Sequence, residues 1–566
     1  MNARRLLTCV LCLALTVSAA ACGQTPAAGT SPSTSAVAAS TSASAASSST
    51  TAEATPAPND KVTMTAFFVT QTNSPDPFTN TATLELEEKT GVHLEFVTVP
   101  NDGSHDKLTL LLASGDYPEL LLGAGLTNAE LVRYGTQEKI LVPLNDLIDK
   151  YAVNLKERWA EHPEWKRQMT TPDGNIYGIP SADSGITGHG AAPVKLWMNT
   201  DWLKKLNLSV PTTTEEFRDV LRAFKTKDPN GNGKQDEIAL TGAINTWCGD
   251  PYLFLLNAYT YFYPYNLLQL KDDKFTLTAN TEGMREGLNY IASLYAEGLI
   301  DPASFTQSEQ QMAAIGNNAD EVIGGSATCG HLAMFVDINN VERAAQYDNL
   351  LPLKGSNGYL GIPYDKDVML SGAAFAITDK CTQPERAITM ADLFCSMDWA
   401  VRTNIGVKGQ EWDAADPGTK GMDGQTPAQY KYLPGYLATS VESKNNIWGW
   451  SMRLVEPDFK DLFQVDGDIN DPTNYEARLY QATIKLTPYK ANVQQVPAFF
   501  LNADDSTRIS QLQTPLQDYV KTAIVEFVTG KKSTDKDWQA YLDGLSKLNY
   551  EEYLRLNQAA YDTLAK

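Results

Sequence analysis

Histidine is scarce in this 566-residue chain: five copies, at positions 93, 105, 162, 189 and 331, with no two spaced as a metal pair. No GxSxG, no HExxH and no glycine loop of the nucleotide-cradling kind occurs, so the common signatures of serine hydrolases, zinc peptidases and nucleotide enzymes are absent. A glycosidase carboxylate pair stays open, because the separation that defines it, about 5 or 6.5–9.5 Å, is a property of three dimensions. Positive charge is also short, with 46 Lys and Arg against 68 Asp and Glu and a net charge of −22. That balance argues against nucleic acid as a partner and against docking of the folded body on anionic lipid. Cysteine is sparse in the body, where Cys248, Cys329, Cys381 and Cys395 show no CxxC spacing. They read as buried small residues, with one or two disulfides left open. Beyond the N-terminus no apolar run is long enough to span a bilayer.

What is present begins with an address. Arg4 and Arg5 precede an apolar stretch from Leu6 to Ala21, shorter than the roughly 20 residues of a membrane span, which reads as a secretory signal. Three alanines then lead to Cys22, and the junction resembles the lipobox of bacterial lipoproteins, in which that cysteine carries acyl chains such as palmitate and becomes the mature N-terminus. Ala19 departs from the Leu or Val usual there. An ordinary cleaved signal with an incidental cysteine is the alternative. From Gly23 to Pro58 the chain is nearly all Ala, Ser, Thr, Pro and Gly, with Glu53 the only charge. Such a segment buries too little apolar surface to offset its ordering entropy, and reads as a disordered tether with a reach of about 30–35 Å. A glycosylated stalk is the other reading, and both set the body outside the cell.

The body, from Asn59 to Lys566, is long enough for two or three domains. Val62–Val69 is a strand-like apolar run and Val92–Val99 alternates like a strand; helices are expected over Thr81–Thr90, stopped by Gly91, and Lys107–Ser114, stopped by Gly115. This β-α-β-α order, closing on Tyr117–Leu122, predicts a parallel sheet flanked by helices. Further helices are expected over Arg285–Glu297, ended by Gly298, and over Gln383–Asp398. No internal repeat is visible.

The sharpest chemical motif runs from Lys227 to Glu237, Lys-Asp-Pro-Asn-Gly-Asn-Gly-Lys-Gln-Asp-Glu. Oxygen-bearing side chains alternate, and two glycines let the loop curl. A hard cation such as Ca²⁺ takes six to eight oxygens, and this spacing matches the start of an EF-hand loop, closed by a carboxylate pair in place of a later Glu. Side-chain ligands are assigned to Asp228, Asn230, Asn232, Asp236 and Glu237, and a backbone carbonyl to Lys234, in a structural calcium site. A solvated Asn-Gly turn is the alternative.

A family resemblance rests on segments in a fixed order: Leu112–Glu119, Asp173–Pro180, Leu196–Leu206 followed by Val210–Phe217, Tyr295–Pro302, Gly372–Thr378 and Asn404–Trp412. Together they resemble the extracellular solute-binding lipoproteins of carbohydrate ABC transporters, in the large Gram-positive subgroup related to the alginate-binding proteins. The resemblance implies an α/β fold, a two-lobe periplasmic-binding-protein-like clamp of type II character, each lobe a mainly parallel sheet flanked by helices. It implies an N-lobe of about 59–183 plus 365–440 and a C-lobe of about 184–364 plus 441–566. It also implies a lipid-anchored monomer on the outer face of the cell membrane. There it would capture an oligosaccharide, hand it to ABC permease subunits, and catalyse nothing. It supports the same calcium positions. A secreted carbohydrate-active enzyme and a surface sensor or adhesin built on the same clamp are the competing functions.

Sugar recognition uses flat apolar faces against ring C–H groups together with planar hydrogen-bonding groups. The resemblance sets Trp412 and the neighbouring Glu411 at the cleft. Trp247 lies in a turn-rich segment of the opposite lobe, and Trp448 and Trp450 form a third loop; Tyr177 and Asp76 are added on loop position. Trp197 and Trp202 sit at Met/Leu spacing and are expected in the core, as is His331 or a loop around it. Core filling is the competing role for each tryptophan.

Overall fold

The computed structural model describes residues 61–564 apart from 71–75, 101–102, 184–191, 245, 265, 363–368, 434–444, 449–451, 456–458, 466–473 and 490–502. Signal, Cys22 and tether lie outside the described residues.

Among the described residues two large apolar cores, one per lobe, are joined by three smaller clusters. In the first, strands β1 (Val62–Thr70), β2 (Val92–Pro100), β3 (Leu120–Leu126) and β4 (Ile179–Asp183) form a sheet in the order β2-β1-β3-β10-β4, where β10 is Met369–Ile377 from the chain's return. β1 pairs in parallel with β2, Val62 opposite Val92 through Thr70 opposite Pro100, and with β3; β10 is antiparallel to both its neighbours. Position in the sheet accounts for the two strand patterns. Central β1 buries both faces over its apolar stretch Ala66 to Val69, whereas β2 is an edge strand and alternates. The helix Thr81–Thr90 starts where the Asn80 side chain accepts the Ala82 N–H at 2.9 Å and stops at Gly91, whose φ of 66° suits glycine. The second helix begins earlier than expected, at Ser104, and ends at Gly115.

In the second lobe, β5 (Leu196–Asn199) lies between β8 (Ser326–Thr328) and β9 (Tyr347–Asn349), antiparallel to both. A hairpin of β6 (Leu268–Lys271) and β7 (Lys274–Leu277) turns through Asp272 and Asp273, both at positive φ. The expectation of a mainly parallel sheet in each lobe is corrected here. Among the described residues, parallel pairing in this lobe consists of single bridges of Thr213 with Lys354, Ile238 with Gly324, Leu240 with Ile300 and Thr241 with Ala327. Trp197 and Trp202, each 1% exposed, are core residues as expected. The helices Thr214–Thr226, Glu282–Ala296, Ala503–Val528, Trp538–Lys547 and Tyr550–Leu564 complete this lobe.

Two further differences have local causes. The helix expected over 383–398 is broken into Pro384–Asp392 and Met397–Asn404, because Ser396 caps the second piece by accepting the Trp399 N–H. The return to the first lobe also runs past residue 440. Trp448, Met452 and Leu454 join the first core, and the Ala182 N–H donates to the Arg453 carbonyl at 2.7 Å. Among the described residues no disulfide joins the four body cysteines, and Cys248, Cys329 and Cys395 are buried. No helix among the described residues is long and apolar enough to cross a membrane.

Candidate ligand cleft and metal loop

Ligands of open α/β sheets lie beyond the carboxyl ends of the parallel strands. In the first lobe those ends are Thr70, Pro100 and Leu126, and Asp76 follows the first of them. Its carboxylate accepts the Phe78 N–H at 3.0 Å and the Thr79 hydroxyl at 2.6 Å, bonds that hold it below the ordinary carboxylate range. Asp76 therefore shapes this loop.

In the second lobe the parallel-paired segments end at Thr241 and Thr328, so the loops 242–250 and 329–331 occupy the equivalent edge. The first is closed by an Ala243 N–H bond to the Gly249 carbonyl at 2.9 Å. Half-buried Trp247 lays its indole on Gly330, where a Cβ would come within 2.2 Å of the ring. The His331 ring stands 5.6 Å from that of Trp247 at 50°, and Tyr475 closes the far side edge-on at 6.4 Å and 83°. An aromatic corner thus forms where a cleft ligand is expected. His331, read from sequence as a core or loop residue, is part of it. Tyr475 went unnoticed in the sequence, since it arrives from 144 positions further along the chain than His331, and only the Cys-Gly-His run after an apolar stretch hinted at the site.

Beneath Lys205 and the helix Thr214–Thr226, the 228–237 loop curls through Asp228, Gly231 and Gly233, all at positive φ. Asp228 Oδ1 accepts the N–H groups of Gly231 and Asn232 at 3.0 and 3.1 Å, and Oδ2 that of Gly233 at 2.9 Å. Asn230 and Asn232 accept the next-but-one backbone N–H groups at 3.0 and 2.8 Å, and both direct amide nitrogens at Asp236. As the side chains stand, no three His, Cys, Asp or Glu residues among the described residues converge as a formed metal centre. Glu237 nevertheless carries a cost that a cation would relieve. It is 8% exposed, and neither carboxylate oxygen makes a hydrogen bond of ordinary geometry. Burial, then the charges of Asp228 and Asp236, push its pKa up. A buried orphan carboxylate beside two more, with amide oxygens that keep a second lone pair, is a donor set that fits a hard dication.

The model of the bacterial extracellular solute-binding proteins matches residues 70–396, more than half of the chain. The chain belongs to that family. This solute-binding protein is 28% identical over 496 residues to the fructooligosaccharide ABC transporter substrate-binding protein FusA of Streptococcus pneumoniae, covering 86% of this chain and 87% of the relative. Its fold matches the solved complex of S. pneumoniae FusA with kestose, with a TM-score of 0.74, 26% identity, and coverage of 89% of this chain and 99% of that one. It also matches an extracellular solute-binding protein from Bifidobacterium longum subsp. infantis, with a TM-score of 0.74, 20% identity and coverage of 90% and 100%. The two-lobe clamp is the fold of these proteins and of this one.

Within this solute-binding protein, several sequence-predicted ligand residues face inward. Trp412 is 8% exposed, donates its indole N–H to the Gly406 carbonyl at 2.9 Å and packs edge-on against Tyr430. Glu411, 3% exposed, accepts the Val407 N–H at 2.8 Å beside Gly406. Both stiffen the 406–412 loop. Trp448 is core: its N–H donates to the Thr83 hydroxyl at 2.8 Å, and its ring packs against Phe68 and Phe394. Tyr177, buried under Gly135, donates to Asp173 at 2.7 Å. Trp450 lies outside the described residues. Among the described predicted tryptophans, Trp247 is the one half-buried at a strand carboxyl edge.

Proposed function

We propose that this protein is the substrate-binding component of an ABC importer and captures an oligosaccharide between its lobes without altering it. What supports the reading above all is the relation to FusA, which runs through nearly the whole of both chains and carries a name that states fructooligosaccharide binding. The aromatic corner at Trp247 supplies the apolar face that a sugar ring stacks on. Ligand bridging both lobes favours the closed clamp, whose rim then meets a membrane permease.

The same reading includes a structural calcium ion, held by the side chains of Asp228, Asn230, Asn232, Asp236 and Glu237 and the Lys234 carbonyl. Bound there, calcium would supply charge to the buried Glu237 and cross-link the loop; these residues would hold it far from any transport step. An EF-hand mutant of FusA and a calcium-free form of the alginate-binding protein AlgQ2 are among the similar solved structures, which accords with such a site. The reading further includes acylation at Cys22, a tether from 23 to 58, and a monomeric body at the outer face of a Gram-positive cell membrane. The similarity to lipoprotein LipO of Bacillus subtilis, 24% identical over 344 residues, is in keeping with that anchor.

The test is titration calorimetry of the body beginning at residue 59 against fructo-, gluco-, galacto- and mannooligosaccharides of two to five units, with product analysis. Saturable heat with intact sugar recovered is the expected outcome. Released monosaccharide, or no heat from any panel member, rejects the reading.

A further inference from the structure

We infer that Lys195 is the positioning residue that ties the chain crossing between the lobes to the seat of Trp247. Lys195 directly precedes β5 and is fully buried, at 0% exposed. Its Nζ donates to the Ala192 carbonyl at 2.6 Å, and no carboxylate pairs with it among the described residues. Ala192 lies on the stretch that leads from β4 of the first lobe to β5 of the second. It packs with Ile362, on the stretch that runs back from β9 to β10. The backbone of Lys195 faces the cleft loops: its carbonyl accepts the Cys329 N–H at 3.2 Å, one residue before Gly330, on which the Trp247 indole rests. One residue therefore joins the crossing chain, through its side chain, to the aromatic corner, through its backbone.

Burying an ammonium against one neutral acceptor is costly, and a methionine of similar length would be easier to bury. What the ammonium supplies is direction. A charge-assisted hydrogen bond is shorter and stronger than a neutral one, and this one holds the Ala192 carbonyl against the start of β5. The crossing chain thus leaves the second lobe at one angle, and rotation of the lobes pulls on the backbone that carries the Trp247 seat. The titratable groups that face the ammonium are the thiols of Cys248 and Cys329, from the two loops that meet at that seat; Glu309 acts on Cys329 from the helix Glu309–Gly316. Burial pushes the Lys195 pKa down to about 8, so the charge is largely present at neutral pH and is lost in mild alkali.

The inference rests on the carbohydrate reading above, and the measurements separate the two. Lys195→Met removes the charge and the donor at nearly constant length. Its melting temperature should equal or exceed that of the wild-type body, while its affinity for the active panel member should fall about tenfold. That split is what a positioning role predicts and a space-filling role does not. In the wild type, affinity should fall several-fold from pH 7 to pH 9.5 as Nζ loses its proton, and this dependence should vanish in Lys195→Met. Small-angle scattering of the sugar-free proteins at pH 7 should give a larger radius of gyration for Lys195→Met, and the wild type should approach that value at pH 9.5. Full affinity in Lys195→Met, or a pH dependence that survives the substitution, overturns the inference and leaves the carbohydrate reading intact. The wild-type profile needs no variant, so it decides even where Lys195→Met does not fold: an affinity that stays flat to pH 9.5 overturns the inference. Failure of the whole panel to bind the wild type overturns the carbohydrate reading, and identical scattering from both proteins at both pH values then overturns the inference as well.

Discussion

A Cβ on Gly330 would lie 2.2 Å from the indole of Trp247, so the tryptophan keeps its place only while residue 330 has no side chain. Gly330→Ala should therefore push the ring off its seat. The expected loss of ligand affinity is about tenfold, equivalent to ~1.4 kcal/mol, and Trp247→Ala should lose more. Calorimetry with the active oligosaccharide reads both. Full affinity in Gly330→Ala would mean that the indole face is not the stacking surface.

The metal loop carries a pH signature of definite sign. Without a cation the Glu237 carboxyl titrates above its ordinary value, so its ionised form is disfavoured in the folded state. That group's contribution to stability is complete below pH 4.5 and is lost as pH rises through the raised pKa. Calcium reverses the balance by pairing with the ionised form. Calcium at one hundred times its Kd should add about 2.7 kcal/mol at neutral pH. The gain should shrink as acid protonates Glu237, and Glu237→Gln should remove most of it. Thermal scans with calcium and with chelator across pH 4–8 test this, and an increment that does not depend on pH would count against Glu237 as a ligand.

Asp392 acts as a remote cap. Its carboxylate, 6% exposed, accepts the backbone N–H groups of Val153 and Asn154, each at 3.0 Å, and of Leu155 at 2.8 Å, so it holds the start of the helix Asn154–Glu161. Asp392→Ala leaves these donors without their acceptor and should cost about 2–4 kcal/mol in urea unfolding of the first lobe. Asp392→Asn keeps one acceptor oxygen and should cost less. Equal stability of Ala and Asn variants would deny the capping role.

At the carboxyl edge of the first sheet, His105 Nε2 lies 3.1 Å from Glu130, whose hydrogen bond raises the imidazole pKa. A raised histidine pKa means that the pair stabilises the fold fully below pH 6.5 and loses that contribution as pH rises through the higher folded value. His105 is more than half exposed, so screening limits the gain to about 0.3 kcal/mol. An NMR titration should give an elevated His105 pKa that returns towards normal in Glu130→Gln and in high salt.

The strands and helix stops of the first lobe were legible because they are local. A central strand such as β1 carries an unbroken apolar stretch from Ala66 to Val69, an edge strand such as β2 alternates, and Gly91 and Gly115 end helices by adopting positive φ. The 228–237 loop was legible for the same reason, since its donors lie within one curl of chain. The cleft was harder to read. Trp412 and Trp448 carry the residue type that sugar binding uses, yet depth decides their role, and Trp448 finds its hydroxyl partner at Thr83, 365 positions away. His331 and Tyr475 meet only because a late helix returns to the second lobe. The break at Ser396 was hidden because apolar periodicity continues across the cap.

That late helix, Tyr475–Leu486, takes part in three apolar clusters. Leu479 and Ala482 enter the second-lobe cluster of Trp197 and Tyr347, while Tyr480 and Ile484 pack with Trp412, Tyr430 and Phe463 in a separate cluster. Leu486 packs with Ala192 and Ile362. We propose that the cluster of Trp412, Tyr430 and Phe463 moves with the first lobe, so that rotation of one lobe against the other changes one face of this helix while the other keeps its contacts. The Arg478 bond to the Ala344 carbonyl assigns the fixed face to the second lobe. Tyr480→Ala should accordingly raise the Kd for the active sugar three- to tenfold, through faster release from the closed form, with little change in the Trp247 corner. Leu479→Ala, on the fixed face, should instead cost about 2–5 kcal/mol of second-lobe stability as a cavity effect. Stopped-flow tryptophan fluorescence and urea unfolding of the two variants separate these outcomes. If both substitutions changed stability alike and neither changed release, the helix would be a passive brace and the hinge would lie elsewhere.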